Sequence, residues 1–311
     1  YDYDGALQPG DALTAHPKIC PGSGDRISCT QRWDSPNYWV QVFDTHAKHK
    51  QTILVEFERK GIIHDLQITD NYIVIFYAPA FHNLEKAMRG EDPFEWYPDM
   101  GTRIIAIPRN GTDDQIVFET DSFFSWHFCN GFEDGGKIFI DYIWINSIPF
   151  TQAQGTGVEK QPRRMYRMSL DLASGQVTNE QFSDVFAEFS RVDERRMGKP
   201  YRYGFATCSN RDWGDAHGYN CTGRFDFATG ETTLWEYGEE ANAGEPVHVP
   251  NPDSDREEDG WLMCYVYNPG EGAFLSILNA GDVSSGPVAK VHIPGRVPNG
   301  FHANWMQNLT L

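Results

Sequence analysis

Four of the ten histidines stand at intervals that a shared metal site could use. His16 precedes His64 by 48 residues, His64 precedes His127 by 63, and His302 follows after another 175. An imidazole nitrogen ligates Fe, Zn, Cu or Ni, and geometry and the remaining ligands decide among them. Four neutral imidazoles leave a divalent ion its full charge, with no bound carboxylate to cancel it. Ligating histidines normally donate their other ring N–H to a carboxylate or carbonyl, which fixes tautomer and ring orientation. Acidic residues are therefore expected behind the rings. A lone histidine in a strand is ordinarily a packing or surface residue, and it is the repetition that argues for a common task. His46 and His49, in HAKH, read instead as a solvated loop.

Such ligands need a scaffold that returns the chain to one place. Short runs rich in β-branched and aromatic residues recur from end to end, among them QTILVEFER (51–59), YIVIFYA (72–78), TRIIAIPR (102–109), KIFIDYIWI (137–145), GWLMCYVYN (260–268) and GAFLSILNA (272–280). Gly, Pro, Asp and Asn punctuate them, which predicts an all-β fold. Two segments share one layout: GIIHDLQITDNYIVIFY and FFSWHFCNGFEDGGKIFIDY each place a His, then an acidic or Gly turn (Asp70-Asn71; Asp134-Gly135-Gly136), then an apolar strand. They read as one hairpin used twice. The histidine intervals lie near one blade repeat of roughly 40 to 50 residues or a multiple of it. Periodicity alone leaves a sandwich, a barrel or a propeller open, whereas one His per blade converging on an axis favours the propeller. The clearest helical pattern is PAFHNLEKAMRG, where Phe81, Leu84 and Met88 are expected to pack on the sheets, or to form a substrate-entry surface. Glu133 and Asp134 read as turn residues.

If the ligands lie in strands, successive side chains alternate between faces. Ile62, Leu66, Ser125, Cys129, Gly300 and Asn304 then share the metal-facing side, while Trp126, Phe128 and Phe301 point away. These neighbours are mostly small or apolar, which suits a hydrophobic substrate.

Composition removes other classes. The 311 residues carry a net charge of −18, which repels phosphate backbones and makes nucleic acid an unsuitable partner. The same charge gives no help toward an anionic membrane, so peripheral membrane contact for substrate access would need an apolar patch. The longest apolar run, Tyr72 to Phe81, is about ten residues, short of the roughly 20 that span a bilayer. Six cysteines without a CxxC pair in a chain of this size favour reduced thiols and a cytoplasmic setting. The chain opens on YDYDGALQPG without Met, so processing, internal numbering or an upstream segment is expected.

Six ordered blocks then become recognisable: TAHPK (14–18), HDLQITDNYIV (64–74), WHFCNGFEDGGKIFID (126–141), EFSRVDERRMGKPYRYGF (188–205), GEPVHVPNP (244–252) with EEDGWLMCYVYN (257–268), and RVPNGFHANW (296–305). In order, they resemble the conserved blocks of the carotenoid cleavage oxygenase family, which includes carotenoid, apocarotenoid and stilbene dioxygenases and a retinoid isomerase. The resemblance implies a single seven-bladed β-propeller domain over 1–311, with one non-haem Fe(II) on its axis held by four His. Carried over block by block, the ligands are His16, His64, His127 and His302, with Glu188 expected to orient His127 and Glu245 to orient His302. The Glu that would orient His64 lies, in the family, upstream of the HPK block, so a preceding segment is expected. His248 stands where Phe is usual and reads as a cavity residue or a tolerated replacement; Ala303 stands where Gly is usual. The implied reaction is cleavage of a C=C bond in a small, conjugated, hydrophobic substrate, a stilbenoid or a carotenoid or apocarotenoid, with O2 as co-substrate and two carbonyl products. A retinoid-isomerase-like reaction without oxygen, and a metal-free propeller binding module, are the alternatives.

Overall fold

The computed structural model describes residues 2–148, 162–211, 218–298 and 300–306. Its sheets are antiparallel, with one α-helix, Leu84–Met88, among the described residues, so the all-β expectation is met. The chain divides into two compact units, the first of residues 1–161, 168–179 and 197–200, the second of residues 162–167, 180–196 and 201–311.

In the first unit, strands Arg26–Gln31, Tyr38–Phe43 and His49–Val55 pair in succession, and Ala12–Leu13 and Lys18–Ile19 both pair with Arg26–Gln31. A second sheet runs Gln67–Ile68, Tyr72–Tyr77, Thr102–Pro108, Ile116–Thr120. Its middle strands are buried on both faces, which explains why YIVIFY and RIIAI read as unbroken apolar runs. Ile27, Val40, Val55, Leu66, Ile75 and Ile107 belong to one core between these elements.

The repeated hairpin is present in both places. Gln67–Ile68 pairs with the start of Tyr72–Tyr77, and Phe128–Asp134 pairs with Lys137–Ile145. Gly135 and Gly136 both have positive φ (57° and 78°), as a two-residue turn between right-twisted strands demands. The two hairpins are clasped together. Glu133 Oε1 accepts from Thr69 Oγ1 (2.6 Å) and the Asn71 N–H (2.7 Å), and its Oε2 accepts from Asn71 Nδ2 (2.8 Å). Deeper in, Gln67 Nε2 donates to Asn130 Oδ1 at 3.0 Å. Gly131 permits that approach, because a Cβ there would lie 2.8 Å from Gln67 Cγ and 3.1 Å from the Phe139 carbonyl oxygen.

The helix departs from expectation. Phe81 belongs to strand Ala80–His82 and is buried, whereas the helix begins only after Asn83, whose Oδ1 caps the Lys86 N–H at 3.0 Å. Leu84 (69% exposed) and Met88 (81%) face solvent, since a five-residue helix has no stripe long enough to dock.

In the second unit, the end of strand Val177–Val192 pairs with Tyr203–Ser209, followed by Cys221–Asp226 and Glu231–Glu236. A further sheet joins Asn242–Ala243 and Val247–Pro250 to Gly260–Asn268, then Gly272–Asn279 and Asp282–Ile293. Phe205, Tyr237, Leu262, Phe274 and Leu278 form its core. None of the six cysteines is in a disulfide. Among the described residues no helix is long and apolar enough to cross a membrane.

Candidate metal centre

Three of the four histidines converge in the first unit. The ring centroids of His16 and His64 are 4.7 Å apart, those of His16 and His127 4.9 Å, and those of His64 and His127 5.3 Å. His16 Nε2 lies 3.0 Å from His64 Nε2. Burial, together with the neighbouring imidazoles and Lys18, outweighs the pull of Asp65 and lowers the His16 pKa to about 3. The ring stays uncharged at neutral pH and keeps one nitrogen lone pair free, the state in which imidazole binds a metal. The donor set contains imidazoles with no carboxylate or thiolate, and it fits a first-row divalent ion.

Asp65 draws together the segments that carry these rings. The residue is 5% exposed, and its Oδ1 receives Lys18 Nζ at 2.7 Å and the Leu66 N–H at 2.7 Å, while Oδ2 receives the Phe128 N–H at 2.9 Å. One carboxylate thus touches the chain beside each of the three histidines. Burial alone would raise its pKa, but Lys18 and His16 hold it below the ordinary carboxylate value. A parallel bridge between His16 and Asp65 completes the contact. Thr14 Oγ1 donates to the His64 carbonyl, and Ser125 Oγ to the His127 carbonyl at 3.3 Å. Histidine spacing does not announce Asp65, and its signal is the place beside His64 in HDLQ.

His302 belongs to the second unit, on the segment that follows Asp282–Ile293. Its Nδ1–H donates to Glu245 Oε1 at 3.3 Å, and the Ala303 N–H donates to Glu245 Oε2 at 2.7 Å, so His302 and Glu245 are in contact. Glu188 is fully buried, accepts the Phe189 N–H on Oε2 at 2.6 Å, and has Arg163 Nη1 3.8 Å from Oε1.

A family model described as retinal pigment epithelial membrane protein matches residues 1–307. The chain belongs to the carotenoid cleavage oxygenase family. Among relatives of this oxygenase-family chain, isoeugenol monooxygenase of Pseudomonas nitroreducens is 31% identical over 98% of this chain and 68% of its own length. The apocarotenoid-15,15'-oxygenase of Synechocystis is 28% identical over 98% and 66%. The cobalt-substituted Synechocystis enzyme superposes with a TM-score of 0.91 at 27% identity, covering 99% of this chain and 67% of that one. The lignostilbene dioxygenase of Pseudomonas brassicacearum gives 0.90 at 25% identity, over 99% and 68%. The chain thus spans about two thirds of these proteins.

Within this family member, the strand-alternation reading needs correction. The histidines do not lie in regular strands: His64 and His127 precede Gln67–Ile68 and Phe128–Asp134, and His16 makes a single bridge. Period two has no force in such segments. Trp126, expected to point away, stands edge-on to His64 with centroids 4.8 Å apart. Phe301, expected inside a sheet, is 75% exposed, while Phe128 is buried as expected. Leu66 and Cys129 are interior residues and Asn304 accepts a hydrogen bond from Arg191. Ile62 and Trp126 pack on the apolar cluster of Ala78, Ala80, Phe124, Ile145 and Ile148. His248 is buried in strand Val247–Pro250, stacked on Phe205 at 5.5 Å, with Nε2 3.1 Å from the Glu257 carbonyl, which is the behaviour of an aromatic replacement.

Proposed function

We propose that the protein is an Fe(II)-dependent oxygenase that splits a C=C bond of a small conjugated hydrophobic substrate with O2 to give two carbonyl products. His16, His64, His127 and His302 are its iron ligands, with Glu188 orienting His127 and Glu245 orienting His302. The observation that carries this reading is the convergence of His16, His64 and His127, imidazoles without a carboxylate, in a member of this family. A four-imidazole ion has positions left for O2 and, when bound, supplies dioxygen activation.

The chain's own residues prepare that centre. Asp65 and Lys18 fix the backbone of the three ligand segments. Glu245 holds the His302 Nδ1 proton, which turns Nε2 outward as a lone pair. Trp126 beside His64, on the apolar cluster that also takes Ile62, suits an apolar substrate and excludes water. Both atoms of O2 are accounted for in the two carbonyls, so no external reductant is required. The relatives' names, isoeugenol monooxygenase, apocarotenoid-15,15'-oxygenase and lignostilbene dioxygenase, support arylalkenes and apocarotenoids as the substrate classes to test first.

The test is aerobic turnover of Fe(II)-loaded protein on isoeugenol, a hydroxylated stilbene and an apocarotenal under 18O2, with products read by mass. Aldehyde carrying label from the gas is expected. Rearranged substrate without label would favour an isomerase, and a protein that takes up no iron would leave a binding module. His127→Ala is expected to lose iron while keeping the wild-type circular dichroism.

A further inference from the structure

The second unit holds a device that ligand spacing did not disclose. In strand Val177–Val192, Glu188 pairs with Thr207 but Arg191 pairs with Phe205, three residues on one strand against two on the other. This is a β-bulge, and Phe189 within it has φ +53°, a left-handed conformation uncommon outside glycine. In a regular strand, residues three apart face opposite sides; the extra residue returns Glu188 and Arg191 to one side. Strain of this kind persists where surrounding contacts over-determine it. Here the Phe189 ring stands edge-on to His302, with centroids 5.3 Å apart, and its N–H is held by Glu188.

Arg191 reaches three groups. Nη1 lies 3.7 Å from Glu245 Oε1, and Nη2 donates to Asn304 Oδ1 at 3.3 Å and to Glu194 Oε1 at 2.8 Å. The Glu194 side chain is half exposed, so that pair is screened and contributes little. The Glu245 side chain is 3% exposed, so the guanidinium acts there with little solvent screening. Glu245 already holds His302 Nδ1 and the Ala303 N–H. Arg191 therefore grips both the carboxylate that orients the ring and the residue two positions after the ring.

We propose that Arg191 is a positioning residue for His302: its guanidinium bridges Glu245 and Asn304 and fixes the segment that presents the imidazole. The inference rests on His302 being a metal ligand, as proposed above. A planar fork suits this bridging, whereas a lysine ammonium, a point charge, would restore the charge toward Glu245 without spanning to Asn304.

The test uses Arg191→Met, Arg191→Lys and Asn304→Ala in the otherwise intact protein, with two readouts. In metal-free protein, hydrogen exchange of the 301–305 amides, Ala303 foremost, should be faster in Arg191→Met and Asn304→Ala than in wild type, with Arg191→Lys between. In iron-loaded protein, release of Fe(II) to a chelator should be at least about tenfold faster in Arg191→Met, the scale on which outer partners of a ligand act. Wild-type exchange and wild-type release in Arg191→Met and Asn304→Ala, both folded by circular dichroism, would overturn the proposal. Should Arg191→Met fail to fold, Asn304→Ala decides alone, since it cuts the tie from the other end. A wild-type protein that takes no Fe(II) would remove the proposed function, and the exchange comparison would still decide whether Arg191 holds the segment.

Discussion

Replacing Asp65 with an asparagine tests whether one carboxylate holds the three histidine segments together. The change is nearly isosteric, so its effect is electrostatic. Lys18 Nζ sits 2.7 Å from Oδ1, and at an effective dielectric of about 20 that pair is worth about 6 kcal/mol of Coulomb attraction before desolvation. The lysine side chain is 10% exposed, so a neutral amide in place of the carboxylate would leave a cation with little water to replace its partner. However the amide is turned, its NH2 faces either that ammonium or the Phe128 N–H. Breaking a buried pair from one side costs about 3–5 kcal/mol, a large share of the ~5–15 kcal/mol that holds a typical domain. The assay is urea unfolding of metal-free protein followed by tryptophan fluorescence, which keeps metal linkage out of the comparison. Asp65→Asn should lose about 3–5 kcal/mol at pH 7.5, and Lys18→Met should lose a comparable amount. The double variant should lose less than the two together by about 2–3 kcal/mol. Because the Asp65 pKa lies below its ordinary value, its contribution is full above about pH 4 and fades as pH falls through the folded-state value. The gap between wild type and Asp65→Asn should therefore close only in strong acid. An Asp65→Asn protein within about 1 kcal/mol of wild type, or strict additivity with Lys18→Met, would refute the reasoning.

Other outcomes follow from the same contacts. Glu133→Gln removes the charge that clasps the Thr69–Asn71 turn and should cost about 1–3 kcal/mol, read as an earlier urea midpoint with faster exchange at the Asn71 amide. Burial lowers the His248 pKa despite the opposing pull of Asp193 3.9 Å away, so the unfolded chain takes up a proton that the fold resists. Wild-type stability should fall as pH drops below about 6.5, and His248→Phe should weaken that dependence; identical thermal midpoints for the two proteins at pH 5.5 and 8 would contradict it. Glu188→Gln should keep the fold and loosen Fe(II) by about 10–100-fold, measured by competition with a chelator.

The site was legible in the sequence where chemistry restricts residue choice. Metal ligation admits few side chains, so four histidines inside ordered blocks stood out, and GEP pointed to Glu245. The hairpins were legible because a Gly-Gly turn between apolar runs has few other solutions. Side-chain direction around the histidines was not, because it was inferred from strand alternation and His64 and His127 sit in irregular chain ahead of the strands. Trp126 turned toward His64 for that reason. Arg191 was hidden by the same arithmetic: a bulge shifts the alternation by one, and sequence spacing does not announce the inserted residue. The exposed helix shows the converse, an apolar spacing whose first member, Phe81, belonged to a strand.

The carboxylate at position 65 also bears on when the proposed metal could enter. It binds Lys18, 47 positions earlier, and the Phe128 N–H, 63 positions later, and the histidines beside these contacts are 48 and 63 positions apart. Closing loops of those lengths costs about 3–4 kcal/mol each on length scaling, before any contact within them returns energy. Imidazoles so far apart in sequence rarely meet in an unfolded chain, so a metal ion present early gains little chelation from them. With the proposed ligands, folding of the protein part would come first and the ion would occupy a finished seat. On the proposed function, iron would then be a tenant that can be withdrawn and replaced, and the histidine cradle should survive its departure.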